Sequence, residues 1–130
     1  MEMADSDCPF CNVDEDRVIA RTSVALVIYD AFPVSRGHAL VLPRQHVGCV
    51  YELPDEEQAE LWRLAGEVQK LLEREFSPDG FNIGINDGEA AGQTVDHAHI
   101  HIIPRYKGDV ADPRGGIRWV LPETARYWED

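Results

Sequence analysis

With 130 residues, 44% of them hydrophobic, the chain is long enough for one domain with an apolar core. Its formal net charge of −12 argues against binding to nucleic acid, which requires Lys and Arg to neutralise phosphates, but permits a small phosphorylated ligand. No apolar run reaches the roughly 18 residues of a membrane span, and the acidic start, Met1–Asp7, lacks the pattern of a secretory signal. We therefore expect a cytoplasmic protein with neither nucleic-acid nor membrane partners.

A pair of cysteines comes first along the chain. Cys8-Pro9-Phe10-Cys11 lies in a polar segment typical of a turn, and three interpretations are open: a redox dithiol, two unlinked thiols, and half of a zinc site. A redox pair normally begins a helix that follows a strand, and the sequence predicts no such pattern here. The third cysteine, Cys49, is interpreted as a small buried apolar residue.

Three strands are predicted in the first half of the chain. Runs rich in Val, Leu and Ile favour buried strands, and turn residues separate them. The predicted strands are Arg17–Ala20, Ser23–Tyr29 and His38–Leu42, with a turn over Pro33–Gly37 between the last two.

A long amphipathic helix is predicted after Pro54. Asp55 fits the N-cap position, with Gln58 three residues later and acidic residues in the first turn. Apolar residues then recur at helical spacing, which predicts a face that packs in the core. That face comprises Leu61, Ala65, Val68 and Leu72, widened by Trp62, Leu64, Leu71 and Phe76. The Pro and Gly of Ser77–Gly80 end the helix.

The second half predicts a strand over Phe81–Asn86, a loop of small residues over Asp87–Gly92, and a histidine-rich strand. The two strands are expected to form an antiparallel hairpin that places the loop beside the histidines. Residues 106–130 are predicted to be an irregular tail with one helical turn at Pro122–Trp128. Together the elements predict a single α+β domain over residues 1–130, with an antiparallel sheet and the long helix on one face.

The histidine-rich strand is the most informative segment. His97, His99 and His101 alternate with apolar residues, so the three imidazoles are expected on one face of a strand, with neighbours roughly 6.6 Å apart. Imidazoles are costly to bury without partners, but near pH 7 they serve as nucleophile, proton carrier and metal ligand. A row of surface histidines on an edge strand is the alternative.

These residues carry a resemblance to a known family. His97-Ala98-His99-Ile100-His101-Ile102-Ile103 matches the His-φ-His-φ-His-φ-φ signature of the histidine triad (HIT) superfamily of nucleotide hydrolases and transferases. Two further blocks resemble the same family, and the resemblance spans roughly Cys8 to Arg105. These blocks are Asp30, Pro33, Gly37-His38 and Pro43-Arg44-Gln45-His46, and then Asn86-Asp87-Gly88 and Gly92-Gln93-Thr94.

The resemblance implies a fold with a five-stranded sheet and an activity. His99 would attack the α-phosphorus of a nucleotide and form a covalent nucleotidyl-histidine, with His101 and Gln93 as further catalytic residues. The substrates would be diadenosine polyphosphates or adenosine phosphoramidates. The resemblance also implies which residues bind the substrate. Phe10, Ile28 and Ala31 would surround the base, and Asp30 would accept from the ribose hydroxyls. The phosphate would be bound by Asn86, Gln93, Thr94 and His101. His38 is either part of the active-site hydrogen bonding or a satisfied structural histidine.

Some branches of the family also bind structural zinc, and most members form homodimers by joining two sheets. The four matching zinc positions are filled here by Cys8, Cys11, His46 and His97, which is a normal closed set of ligands. Such a zinc ion would hold His97 and thereby orient His99 toward the α-phosphorus.

The tail segment Asp112–Trp119 resembles bacterial members described as dinucleoside polyphosphate hydrolases. Ile103-Pro104-Arg105 resembles the diadenosine polyphosphate branch of the family. Arg114 and Arg118 in that tail are interpreted as surface charge, with contact to a polyphosphate as the alternative. Two other functions compete for the triad: a metal-dependent hydrolase or oxygenase that uses His-x-His as ligands, and a nucleotide-binding interaction protein without turnover.

Overall fold

The computed structural model describes residues 6–129. Most of the acidic start Met1–Asp7, for which we expected no secretory signal, lies outside the described residues, as does Asp130 at the end of the tail. Within the described part of the chain, no helix combines the length and the apolar character that crossing a bilayer would require.

The described residues form one antiparallel sheet of five strands in the order β1-β2-β3-β5-β4, together with one long helix, α1. This confirms the predicted α+β architecture. The elements are β1 (Val18–Arg21), β2 (Ala25–Tyr29), β3 (Ala39–Pro43), α1 (Asp55–Phe76), β4 (Gly80–Gly84) and β5 (Ile100–Arg105).

Strand β5 lies between β3 and β4, so it is buried within the sheet. His101 pairs with Leu40 of β3 on one side and with Gly84 of β4 on the other. The strand begins at Ile100, later than predicted, and His97 and His99 precede it. The reason is a hydrogen bond outside the sheet, in which the N–H of Ala98 donates to the Val47 carbonyl at 2.7 Å.

Helix α1 covers one face of the sheet. The alternation of the strands sends one set of apolar side chains toward it, including Val27, Val41 and Ile102, each 1% exposed or less. The helix contributes Leu61, Leu64, Ala65, Val68 and Leu72 to this core. Trp62 does not join them, because it is 38% exposed, so the prediction that it widens the apolar face is wrong.

The start of α1 also differs from the prediction by one residue. Pro54 occupies the N-cap position and makes no side-chain cap hydrogen bond, while Asp55 is the first helical residue. The Gln58 side chain turns back and donates to the carbonyls of Tyr51 and Leu53, so it closes the preceding turn instead of completing a capping box.

The opposite face of the sheet carries a second apolar cluster. Ile28, Leu40 and Leu42 are buried there, and Phe10 packs against them from the N-terminal segment. Because Leu40 lies opposite His101 in the ladder, this cluster and the histidines share one face.

The tail carries two short 3-10 helices, at Gly116–Val120 and Pro122–Thr124. The predicted helical turn therefore starts correctly at Pro122 but ends at Thr124, and the turn at Gly116–Val120 was not predicted. Arg118 donates to the carbonyls of Thr124 and Ala125, and Arg114 pairs with Asp112. Both arginines therefore brace the tail, although they remain exposed.

Candidate active site and metal centre

The chain just before β5 still alternates as a strand does. Ala98 and Ile100 point into the core beneath α1, at 2% and 0% exposed. The imidazoles of His99 and His101 lie on the other face with their ring centroids 5.0 Å apart. His97 is completely buried and turns toward His46, at a centroid distance of 5.1 Å, so it faces a different group of side chains.

The protonation of His99 follows from its hydrogen bond. Its Nδ1 lies 2.8 Å from the backbone carbonyl oxygen of His97. A carbonyl only accepts, so Nδ1 carries the hydrogen and donates it. In the neutral ring the lone pair then resides on Nε2, which is the form of imidazole that acts as a nucleophile.

A hydrogen bond from His38 determines the tautomer of His101. The N–H of Val34 donates to His38 Nδ1 at 3.1 Å, so the hydrogen of the neutral His38 ring lies on Nε2. That nitrogen lies 3.0 Å from His101 Nδ1, which must accept, and His101 therefore carries its own hydrogen on Nε2. The chain of bonds leaves His101 with one free donor for a ligand.

Burial keeps this pair uncharged. Desolvation, with smaller contributions from the neighbouring His99 and His38, lowers the pKa of His101 from 6.5 to about 4. Desolvation also lowers the pKa of His38, against the opposing effect of Asp30. Both rings are therefore neutral at pH 7, as the hydrogen-bond chain requires.

The residues expected around the base and ribose lie beside this chain. Asp30 accepts a hydrogen bond from the Phe32 N–H at 2.8 Å, and its second oxygen lies 3.5 Å from His38 Nε2. Phe10 is half-buried and contacts both His97 and His99. Ile28, by contrast, is 0% exposed, so in this structure it forms the floor beneath Phe10 and presents no surface to a ligand.

Gln93 uses its side chain to hold the loop that precedes the triad. Its Oε1 accepts from the Gly88 N–H at 2.8 Å, and its Nε2 donates to the carbonyls of Gly48 and Val95 at 2.9 and 3.1 Å. The expected direct contact between Gln93 and a phosphate would break these bonds. Gln93 is therefore placed as a residue that positions the loop.

Asn86 and Thr94 border the same loop. Both are exposed, so their polar groups are open to solvent. Thr94 lines a hollow of about 390 Å³ together with Cys8 and His46, which places it beside these two residues.

The cysteine pair meets two histidines in a compact group. Ligand atoms of Cys8, Cys11, His46 and His97 all lie within 4.8 Å of one another. His97 Nδ1 is 3.5 Å from the Cys8 sulfur and 3.6 Å from the Cys11 sulfur, and His46 Nδ1 is 3.2 Å from the Cys11 sulfur. Zinc–sulfur bonds of about 2.3 Å and zinc–nitrogen bonds of about 2.05 Å in a tetrahedron give an edge of about 3.5 Å.

The protonation of His97 also suits a metal. Its Nε2 lies 2.8 Å from the Pro43 carbonyl, so that nitrogen carries the hydrogen and Nδ1 presents its lone pair to the two sulfurs. Burial further lowers the pKa of His97, which keeps the ring neutral. The four residues therefore fit a structural zinc ion, and the geometry favours this interpretation of the cysteine pair.

A second group, Asp30, His38 and His101, also places three ligand atoms within 4.8 Å. Among residues 6–129, neither group contains two members of the triad, and His99 belongs to neither. The groups found in residues 6–129 therefore do not favour a metal held by adjacent His-x-His side chains.

Beyond His101, a cleft of about 820 Å³ continues along the same face of β5. It is bounded by strand residues such as Asn82, Ile103 and Arg105 and by the tail, including Trp119.

The expectation that Cys49 is buried is wrong, because it is partly exposed and its thiol donates to Asp87 at 3.4 Å.

Comparison with known proteins matches this fold and site to a family. The model of the HIT domain family covers residues 12–108. The chain is 39% identical over 97 residues to the bis(5'-adenosyl)-triphosphatase of Dictyostelium discoideum, covering 75% of this chain and 65% of that protein. It is 37% identical over 102 residues to the adenosine 5'-monophosphoramidase of Schizosaccharomyces pombe, covering 75% of this chain and 74% of that protein.

A solved structure is also similar to this chain in fold. A zinc-bound histidine triad family protein from Mycobacterium smegmatis superposes with a TM-score of 0.73 at 34% identity, covering 82% of this chain and 80% of that one. The chain is a member of the HIT domain family. About a third of the Dictyostelium protein lies outside the match, since the chain covers 65% of its length.

Sequence reasoning missed the backbone groups that hold the site. The carbonyl of Pro43, the last residue of β3, anchors His97, and the carbonyl of Val47 in the following loop anchors Ala98. Every residue has a carbonyl, so no side-chain pattern could have indicated these two. The sequence leaves two roles open for His38. Its bond to His101 depends on the pairing of β3 with β5, which the sequence does not specify.

Proposed function

We propose that this protein is a nucleotide hydrolase or nucleotidyl transferase that cleaves its substrate at the α-phosphorus through a nucleotidyl-His99 intermediate. The observation that carries the proposal is the bond from His99 Nδ1 to the His97 carbonyl, which leaves the Nε2 lone pair available. His99 is 8% exposed, so the ring is held by its surroundings and can still be reached.

The reaction has two displacement steps. The Nε2 lone pair forms a bond to phosphorus while the bond to the leaving group breaks, and the leaving group takes its electron pair and a proton from solvent. The ring becomes cationic, and the Nδ1–H donated to the His97 carbonyl stabilises that charge. Water then attacks phosphorus, the P–N bond breaks, its electron pair returns to Nε2, and the proton of water passes to solvent.

The Nε2–H of His101 supports both steps as a donor to the phosphate oxygens. Because it is set by the bonds from Val34 through His38, it costs no reorganisation when charge develops on those oxygens. Asp30 supplies a carboxylate for the ribose hydroxyls, and Phe10 borders the base. The names of the two relatives support dinucleoside polyphosphates and adenosine phosphoramidates as the substrate classes.

The metal in this proposal is structural zinc held by Cys8, Cys11, His46 and His97. A closed set of four protein ligands leaves no open position, so zinc would contribute stability and no chemistry to the reaction. These residues join the N-terminal turn to the segment that carries His99.

We further propose a homodimer in the cytoplasm. β4 is an edge strand that pairs only with β5 in the described chain, so its outer edge offers unpaired backbone groups to a second copy. No disulfide forms among Cys8, Cys11 and Cys49 in residues 6–129, which suits a reducing compartment. Sedimentation at several concentrations tests the dimer, and a monomer at all of them would contradict it.

The decisive test is a rapid acid quench with adenosine phosphoramidate and a diadenosine polyphosphate, followed by mass spectrometry. We expect the mass of AMP on the peptide that carries His99 in the wild type. His99→Ala should lose both the adduct and turnover while still binding AMP. Normal hydrolysis by this variant would contradict the mechanism, and binding without turnover by the wild type would favour an interaction protein.

A further inference from the structure

We infer that the loop Cys8–Cys11 positions the nucleophile, because it carries Phe10 between the two thiols and presses that ring against His99. Phe10 is then a positioning residue, in addition to any contact it makes with a base. The kinetic part of this inference rests on the proposed function, whereas its structural part does not.

The loop is closely tied to the triad segment. The sulfurs of Cys8 and Cys11 lie 3.5 and 3.6 Å from His97 Nδ1, so the residues on both sides of Phe10 converge on the same ring. Within the loop, the N–H of Cys11 donates to the Cys8 carbonyl at 3.2 Å, and the Asn12 side chain donates to the same carbonyl at 2.9 Å. These contacts leave the backbone of Phe10 little freedom.

The Phe10 ring meets two histidines edge-on. Its centroid lies 5.9 Å from that of His97 with an interplanar angle of 88°, and 4.8 Å from that of His99 with an angle of 68°. Both values are typical of favourable T-shaped aromatic pairs. Phe10 also packs on the buried cluster of Ile28, Leu40 and Leu42, which supports it from below.

His99 is buried, but within residues 6–129 few directional contacts fix the orientation of its ring. One hydrogen bond from Nδ1 sets the tautomer, and His101 contacts the ring at 5.0 Å. Phe10 supplies a further aromatic contact. Without it the ring can tilt about its single hydrogen bond, and a misplacement of about 1 Å can reduce a rate by about a hundredfold.

The four metal ligands can therefore affect the orientation of His99 by two routes. One is the carbonyl of His97, which every side-chain substitution retains. The other is Phe10, which a substitution removes. If Phe10 is the main route, loss of metal and loss of the Phe10 ring should have overlapping effects on His99, and the combined loss should be smaller than the product of the two.

The test uses the 130-residue chain loaded with zinc and compares Phe10→Ala, Phe10→Tyr and Val13→Ala. Val13 packs on the same apolar cluster from the same segment, so its truncation is the matched control for lost packing. We expect Phe10→Ala to lower kcat about 10- to 100-fold with KM changed less than threefold and with the zinc content unchanged. Phe10→Tyr should restore most of kcat, and Val13→Ala should change it less than threefold.

Nuclear magnetic resonance of the histidine rings gives a readout that needs no turnover. The Nδ1–H of His99 should give a sharp signal in the zinc-loaded wild type, and that signal should broaden in Phe10→Ala and after zinc is chelated. Chelation should change the Phe10→Ala spectrum much less than the wild-type spectrum. If the chelated protein unfolds, the comparison of zinc-loaded variants still decides.

Two results would overturn the inference. A raised KM with unchanged kcat in Phe10→Ala would make Phe10 a wall of the base site only. A His99 signal that remains sharp in Phe10→Ala would show that the hydrogen bond to His97 suffices. Should the wild type show no turnover at all, the proposed function fails, and the resonance experiment still tests the positioning by Phe10.

Discussion

The imidazoles of this site owe their different roles to backbone carbonyls and to one another. His97 and His99 each donate one ring N–H to a carbonyl, and each is left with the lone pair on the other nitrogen. The two rings use opposite nitrogens, Nδ1 in His97 and Nε2 in His99, so one faces thiols and the other is free to attack. A neutral carbonyl orients a ring without adding charge to the site, which suits a nucleophile that must stay unprotonated.

The half-buried His101 makes stability depend on pH. Its folded pKa of about 4 lies below the ordinary value of 6.5, so below pH 6.5 the unfolded chain binds a proton that the folded chain does not. Stability should be unaffected by this group above pH 6.5 and should fall as the pH drops toward 4. At pH 5 the loss amounts to about 2 kcal/mol.

Urea unfolding at pH 7 and pH 5 measures this dependence. The control is His101→Gln, which retains an acceptor for His38 Nε2 but has no group that titrates. The wild type should lose about 2 kcal/mol more than the variant between the two pH values. Equal losses in both proteins would mean that burial does not lower the pKa of His101.

Among the elements, helix α1 packs the core, whereas the loop before the triad borders the site. Helix α1 supplies apolar side chains to the core on the face away from the histidines. The loop that contains Gly88 and Gln93 is held by hydrogen bonds of the Gln93 side chain. Changes in the helix should therefore affect stability, and changes in the loop should affect the site.

Leu72 and Trp62 offer a matched pair on the helix. Leu72 is 0% exposed and Trp62 is 38% exposed. We expect Leu72→Ala to lower the free energy of unfolding by about 2–5 kcal/mol, because it leaves a cavity, and Trp62→Ala to cost about 1 kcal/mol or less. Denaturant titration of both variants measures the difference, and a larger cost for Trp62→Ala would contradict the assigned core.

Gln93 distinguishes a positioning role from direct catalysis. Gln93→Ala removes three hydrogen bonds of the loop, each worth about 0.5–1.5 kcal/mol, and should loosen the loop before the triad. Gln93→Glu keeps an acceptor for Gly88 but loses both donors, so it separates the two ends of the side chain. We expect increased hydrogen exchange of the 88–95 backbone in both variants, more in Gln93→Ala. Unchanged exchange with lost turnover would instead support a direct role.

At the scale of the whole molecule, one group of four ligands joins distant parts of the chain. Cys8 and Cys11 precede the first strand, His46 follows β3, and His97 precedes β5. Zinc that binds only the folded chain stabilises it by about 3 kcal/mol when free zinc exceeds the dissociation constant a hundredfold.

Thermal unfolding with added zinc and with a chelator measures that contribution. The midpoint for the wild type should rise with the zinc concentration, whereas the midpoint for Cys8→Ser should respond much less. Cys49→Ser is the matched control, because Cys49 is a partly exposed thiol outside the ligand group and should leave the zinc response intact. An equal response in Cys8→Ser and the wild type would exclude this metal centre.

The elements and the polarity of their faces could be predicted from the sequence. The apolar runs of β2 and β3 indicate buried strands, whereas alternation in the triad segment and the helical spacing from Leu61 to Leu72 indicate which side chains meet the core. Predicted boundaries differ from the observed ones where long-range contacts compete with local pattern. β5 starts at Ile100 because Ala98 bonds to Val47 outside the sheet, and Trp62 is exposed although it continues the apolar periodicity of the helix.

The sequence by itself determined the family, the order of the strands along the chain, and the residue types that carry the chemistry, because spacing and side-chain chemistry are local properties. Only the tertiary structure decided which nitrogen of each imidazole is protonated, that Ile28 is buried, and that Gln93 holds a loop. It also brought Phe10 against His99 from 89 residues away in the chain. Hydrogen-bond partners and ring contacts depend on how strands pair and loops fold back, and no local pattern encodes those distances.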